Sequence, residues 1–244
     1  MTSHNFEIDW VKLWLEKGSF TLADNWIAGS QGHITTRLKS NDFLTIEASG
    51  KVVKSSTYLG GITQENFDLF HQEVLKAGVI LSKETLLNAR LSKLDVKKDI
   101  HFFGTNLSDA ISLFRERAIP STQNFHMLLF KKQLGINNSL LIKTTTKTTV
   151  DSLSIYNKFQ EMCNERKQDL GYYDSFDDEF LDSCKDILRF ERRIYGAKKL
   201  RQVLHLQGGE KVTLQAVFDC PFDILREKID QHLDIKGIGG YLLC

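Results

Sequence analysis

The chain has 244 residues, 41% of them hydrophobic and 26% charged, and a formal net charge of +1. That is length enough to bury a core and an ordinary globular composition, which excludes a fibrous or wholly disordered chain. No apolar run reaches the roughly 20 residues of a membrane span, and the start Met-Thr-Ser-His-Asn-Phe-Glu has no signal-peptide character. No membrane partner is expected. The four cysteines (Cys163, Cys184, Cys220, Cys244) lack C-x-x-C spacing and predict reduced thiols in a cytoplasmic protein.

In chain order, Phe6, Trp10, Leu13 and Trp14 stand at helical spacing and predict an amphipathic helix over 6–20. Alternation predicts strands over 33–38 and 43–53. Thr63 can cap a helix over 64–76, and Ser82 a short one to Asn88. A strand follows over 90–100, then a helix over 107–118 that ends before Pro120. Strands are predicted over 125–132, 140–146 and 152–158, with a helix over 159–169 and an acidic one over 175–184. The last elements are a strand over 187–194, a basic helix over 197–204, a strand over 212–218 and a helix opened by Pro221 that runs to His232. There is no regular β-α-β alternation. The fold class expected is therefore α+β, an antiparallel β-sheet with flanking helices, in a single domain over 1–244.

Charge is separated locally although the total is near zero. Between Arg189 and Arg201 lie Arg192, Arg193, Lys198 and Lys199 with one acid, Glu191; a second basic cluster runs from Lys131 and Lys132 to Lys143 and Lys147; an acidic stretch runs from Asp174 to Asp186. Such separation can hold an anionic backbone on one face, although solvated surface charge gives the same pattern.

Four predicted strands alternate apolar with reactive positions. Leu44 and Ile46 oppose Thr45 and Glu47; Leu94 and Val96 oppose Lys93, Asp95 and Lys97; Leu153 and Ile155 oppose Tyr156 and Lys158; Leu188 and Phe190 oppose Arg189, Glu191 and Arg193. Side chains alternate across a strand, so each reactive set projects from one face. Pooled in one sheet, they include the parts for breaking a phosphodiester covalently. A phenol needs a base or cations to ionise, hard oxygens can hold a divalent cation, and arginine can clamp phosphate. Any antiparallel sheet with one wet face alternates in the same way.

The order of these strings decides between the two readings. Ile46-Glu-Ala-Ser-Gly-Lys51 is followed by Arg90-Leu-Ser-Lys-Leu-Asp-Val96, then Leu153-Ser-Ile-Tyr-Asn-Lys-Phe-Gln-Glu161, then Leu188-Arg-Phe-Glu-Arg-Arg193. The series resembles the gene II/X family of phage and plasmid replication initiation proteins, which are rolling-circle initiators, most strongly over 43–204. The resemblance implies the fold of rolling-circle initiator nucleases, with Tyr156 as nucleophile, Lys158 and Arg189 as catalytic cations and Glu161 in support. It implies Mg²⁺ or Mn²⁺ as cofactor. We expect Glu47, Asp95 and Glu191 as metal ligands and His101 as a further one. Lys93 stands where the family usually has arginine, and no His-hydrophobe-His pair is present. Arg192, Arg193, Lys198, Lys199, Arg201 and Lys93 are the expected DNA contacts.

The activity implied is nicking and rejoining of single-stranded or hairpin origin DNA through a 5′-phosphotyrosine, in the cytoplasm of a bacterial host, with host helicase and replication machinery as partners. Three alternatives stay open. They are a non-cutting single-strand-binding protein with Phe102 and Phe103 as stacking residues, a nucleophile at Tyr195, and a metal-dependent nuclease that uses water.

Overall fold

A computed structural model describes residues 6–39, 43–53, 60–102, 106–118, 125–131, 137–145, 149–168 and 178–234. Phe103, Pro120, Lys132, Lys147, Asp174 and Cys244, all singled out above, lie outside these residues, as does the beginning of the acidic helix.

The chain forms strands β1 (Glu7–Leu15), β2 (Thr21–Leu22), β3 (Gly29–Gln31), β4 (Ile34–Lys39), β5 (Phe43–Ser49), β6 (Val79–Ile80), β7 (Arg90–His101), β8 (Phe125–Lys131), β9 (Asn137–Thr145), β10 (Val150–Asn157) and β11 (Ile187–Tyr195). The helices are α1 (Phe67–Lys76), α2 (Lys83–Leu87), α3 (Leu107–Glu116), α4 (Lys158–Gln168), α5 (Asp178–Ser183), α6 (Ala197–Val203), α7 (Leu214–Phe218) and α8 (Ile224–His232). Among the described residues, nine strands hydrogen-bond in the order β3-β4-β5-β1-β7-β11-β10-β9-β8, while β2 and β6 pair with each other. The β1/β5, β3/β4, β4/β5 and β8/β9 pairs are antiparallel. This is the α+β architecture expected. Among the described residues, no helix is long and apolar enough to cross a membrane.

The strand expected over 43–53 ends at Ser49, and Gly50–Val53 form a 3-10 turn; two further elements differ in kind from expectation. The first predicted helix is strand β1. Trp10, Leu13 and Trp14 fit a period of 3.6, but Val11, Leu13 and Leu15 are buried in alternation with Trp10, Lys12 and Trp14. Pairing decides the matter, because β5 sets Ala48, Ile46 and Leu44 opposite Val11, Leu13 and Leu15. The second is the predicted strand over 212–218, which is helix α7. Thr213 Oγ accepts from the Ala216 N–H at 3.2 Å, and the buried residues Leu214, Val217 and Phe218 keep helical spacing. The N-cap hydroxyl outweighs the alternation of a seven-residue apolar string.

The residues group into two compact units interleaved along the chain: 1–96, 147–150 and 193–224 in the first, 97–146, 151–192 and 225–244 in the second. In the first unit, Phe67 meets Phe70 and Phe218 edge-on, with ring centroids 5.7 and 5.8 Å away. Ser82 caps α2 as predicted, accepting from the Thr85 N–H at 3.1 Å. Thr63, the predicted cap of α1, accepts instead from the N–H of Asn66, the residue at the cap position. In the second unit, α3 buries Leu107, Ala110, Ile111 and Phe114, and the Phe114 ring stands edge-on to Phe190 of β11 at 5.6 Å.

Candidate active site

β10 buries Leu153 and Ile155 and leaves Tyr156, at the opposite parity, only partly covered. The predicted alternation therefore sets the tyrosine on the face away from the core. In the second unit its hydroxyl donates to Glu191 Oε2 of β11 at 2.9 Å. Glu191 is itself buried. The strand ends one residue later. Lys158 is not the strand residue expected but the first residue of α4. Its ammonium is almost completely buried and lies 2.6 Å from Glu161 Oε2, one turn along the helix.

Arg189 shares a strand face with Glu191. Its Nε and Nη2 both donate to Asp99 of β7, each at 2.6 Å. Burial pushes the Asp99 carboxyl up, but the Arg189 hydrogen bonds and charge, with Lys97 and Lys158 behind them, leave it below its ordinary value. Lys97 is buried. Burial raises the Cys184 thiol, with the Asp99 charge adding to the rise while Lys158 and Arg189 oppose it. Lys158, Glu161, Arg189, Asp99 and Lys97 thus form one polar cluster in the second unit, and the Tyr156–Glu191 pair shares a strand face with Arg189.

The remaining expected ligands sit elsewhere. In the first unit, Glu47 meets Lys12 at 2.6 Å, its direct partner across the β1/β5 ladder. Asp95 Oδ2 accepts from Arg193 Nε at 2.9 Å and lies 3.4 Å from Lys93 Nζ. Its other oxygen, Oδ1, is buried with no hydrogen-bond partner among the described residues. Burial raises the Asp95 carboxyl against the lowering pull of Arg193 and Lys93. His101 is exposed at the end of β7, in the second unit. Among the described residues, no group of three or more His, Cys, Asp or Glu side chains is arranged to hold a metal ion.

One expected DNA contact is corrected. Arg192 faces the core with Leu188, Phe190 and Ile194, and its side chain is only 2% exposed. Its Nε and Nη2 hold both oxygens of buried Asp151 at 2.9 and 3.1 Å, and Lys228 of α8 reaches the same carboxylate at 3.1 Å. The arginine neutralises a buried acid, because strand parity turns it away from its neighbours. Arg193 is half exposed, Lys198 is exposed, and Arg201 donates to the Gln207 carbonyl at 2.9 Å. Lys93 lies over the Trp10 ring at 4.9 Å. Tyr195, the alternative nucleophile, is 47% exposed in the first unit.

No family model matches the chain. A search of curated proteins also returns no match. Among solved structures, the chain is similar to a rolling circle replication initiator protein from Geobacillus stearothermophilus, with 10% identity and a TM-score of 0.47 over 94% of this chain and 86% of that chain. A TM-score below 0.5 at that identity carries no weight for a role. The chemistry has to come from the side chains.

Asp99 was missing from the expected site. The alternation of Lys93, Asp95 and Lys97 reaches it two residues further along β7, so the signal was present and stopped short. Asp151 and Lys228 had no comparable signal, because their importance arises from burial beside Arg192.

Proposed function

We propose that this chain is a rolling-circle replication initiator that nicks and rejoins single-stranded origin DNA through a covalent tyrosyl phosphodiester at Tyr156. The observation that carries the reading is the 2.9 Å hydrogen bond from the Tyr156 hydroxyl to Glu191. The ordered strings resembling the gene II/X family support it independently. A phenol with a pKa near 10 is a weak nucleophile at neutral pH. A buried carboxylate at hydrogen-bond distance is placed to take its proton as the O–P bond forms.

The steps balance. Tyr156 Oη attacks the scissile phosphorus and its proton passes to Glu191. The P–O3′ bond breaks, and the leaving 3′-oxygen takes up a proton from solvent as it becomes the free 3′-OH that primes synthesis. Rejoining reverses this: a 3′-OH attacks the phosphotyrosine and gives its proton to solvent, the P–Oη bond breaks, and Glu191 returns the proton to the phenol. The covalent bond conserves the phosphodiester energy, so closure needs no nucleotide. Lys158 contributes positive charge near the base of the tyrosine strand, and Arg189 is oriented by Asp99. Arg193, Lys198, Lys199, Arg201 and Lys93 would supply salt-sensitive contacts to the DNA backbone. In this reading the chain acts in the bacterial cytoplasm beside host replication proteins, and Mg²⁺ or Mn²⁺ belongs to it through the family resemblance alone.

A nicking assay on a labelled origin hairpin, with Mn²⁺ and with EDTA, tests the proposal. Wild type should form a covalent adduct that mass spectrometry maps to Tyr156, and Tyr156→Phe should form none. Equal inertness of both proteins, with DNA binding retained, would leave a binding module. An adduct at the exposed Tyr195 would move the nucleophile. Cutting without any adduct would indicate water as the attacking group.

A further inference from the structure

We propose that a groove in the first unit beside Trp14 holds one unpaired base of a single-stranded nucleic acid, stacked on the Trp14 indole. The inference rests on the reading of the chain as a protein that acts on single strands, and it assigns a base-binding position outside the Tyr156 constellation.

The groove has a volume of about 600 Å³, within the roughly 300–1,000 Å³ of small-molecule sites. It lies between the end of β1, helix α2 and the loop over 207–213. Trp14 is held rigidly at its side. The indole Nε1 donates to Ser92 Oγ at 2.9 Å, and Phe43 meets the ring edge-on with centroids 6.3 Å apart. Ser92 is itself fixed, since its hydroxyl donates to the Lys12 carbonyl at 3.2 Å and its carbonyl accepts from Gly196 N–H at 3.1 Å. The last bond brings the start of α6 to the same place, and Ala197 and Arg201 line the groove. A fixed aromatic ring loses little freedom when a base stacks on it, and stacking is indifferent to which base arrives.

Charge selects a base rather than a phosphate chain. Arg90, Arg201 and Lys211 face the groove, but so do Glu16, Glu84 and Glu210. Three acids offset the three cations, so the groove has no excess positive charge to hold a polyphosphate. Base edges carry donors and acceptors side by side: carboxylates accept from exocyclic amines, while guanidinium and amide groups such as Asn88 donate to ring nitrogens and carbonyls. Lys198 and Lys199 follow Ala197 directly on α6, so cations for the flanking phosphates stand one and two residues from the groove wall.

The test measures binding by the full chain to an unlabelled pyrimidine oligonucleotide, its duplex and the mononucleotide dTMP, at several salt concentrations. Trp14→Ala should weaken single-strand binding by about five- to a hundredfold, the worth of one stacked base. It should leave duplex binding unchanged and keep the salt dependence of wild type, since no phosphate contact is lost. Trp14→Phe should retain most of the affinity. An unchanged single-strand affinity in folded Trp14→Ala, an equal loss on duplex, or dTMP binding as tight as the oligonucleotide would each overturn the proposal. Should Trp14→Ala fail to fold, photocrosslinking of wild type to an iododeoxyuridine oligonucleotide decides, with an adduct on Trp14 expected and its absence contrary. Cross-linking at Trp14 by a chain that forms no tyrosyl adduct would sink the nicking reading and leave the groove standing.

Discussion

Replacing Glu191 with glutamine isolates the step on which the mechanism depends. Gln keeps the shape of the side chain and can still accept a hydrogen bond from the Tyr156 hydroxyl, now 2.9 Å from Glu191 Oε2, but it cannot accept the proton. A positioned general base contributes about 10²–10⁴ in rate, so adduct formation should slow by that factor, equivalent to about 3–5 kcal/mol of barrier at 1.36 kcal/mol per decade. The cost in stability should be only about 1 kcal/mol, the difference between a hydrogen bond to a charged acceptor and one to a neutral acceptor. Single-turnover adduct formation on a preformed DNA complex is the assay, read across pH 6–10. The variant should recover rate at the alkaline end, where a phenol can ionise without a base. Wild type should not show this dependence. If Glu191→Gln forms adduct at the wild-type rate near neutrality with the same pH profile, Glu191 is not the base and its hydrogen bond to Tyr156 is structural.

Arg192→Ala should destabilise the fold by about 3–5 kcal/mol in urea unfolding, because Asp151 loses its bidentate partner inside the protein; a stable variant with weakened DNA binding would restore the contact role. Lys198→Ala combined with Lys199→Ala should leave the melting temperature unchanged and lower the salt slope of single-strand binding by about 0.7 per lost phosphate contact, and an unaltered slope would remove α6 from the interface. Asp99 is held below its ordinary value of 3.8, so its contribution to stability is present above that pH and is lost as pH falls through the folded value. Asp99→Asn should therefore flatten the acid limb of the stability profile, and an acid limb identical to wild type would contradict the assignment. Asp95 runs the other way: its raised carboxyl favours the fold at low pH, and that advantage fades as pH rises through the folded value. Thr213→Ala should cost about 1 kcal/mol through loss of the α7 cap, as measured by thermal unfolding.

The parts of the fold that were legible from the sequence are those in which alternation and caps agree. Leu153 and Ile155 against Tyr156, and Leu188 and Phe190 against Glu191, fixed both the strands and the face of each side chain. Ser82 marked α2 for the same local reason. Illegible parts came from ambiguity of period or from burial. Trp10, Leu13 and Trp14 satisfy helix and strand templates together, and only the partner strand β5 separates the two. Arg192 looks like its basic neighbours in a string, yet one step in strand parity puts it beside Asp151. Glu47, Asp95 and Glu191 lie on strands as expected, but a string does not state which cation lies across the ladder. Lys12 opposite Glu47 is a property of register, and register is set by pairing over the whole strand.

The charge balance of the Tyr156 constellation leads to a last prediction. Among the described residues, Lys97, Lys158 and Arg189 stand with Asp99, Glu161 and Glu191, three cations to three carboxylates. Moving the phenolic proton to Glu191 changes no net charge, but an incoming phosphodiester adds one negative charge without a partner. Arg189 cannot supply it through Nε and Nη2 while both are donated to Asp99. On the proposed reading, a cation that arrives with the DNA would restore the balance. Nicking should accordingly stop in EDTA and return with Mg²⁺ or Mn²⁺, whereas titration calorimetry of the DNA-free chain with Mn²⁺ should show no tight site, in keeping with the scattered carboxylates. Adding a single-stranded substrate analogue should create one. Tight Mn²⁺ binding by the free chain would mean that the carboxylates gather without DNA, and nicking that persists in EDTA would mean that the protein's own cations suffice. Either result would refute the charge argument while leaving the Tyr156–Glu191 step to be judged by its own pH profile.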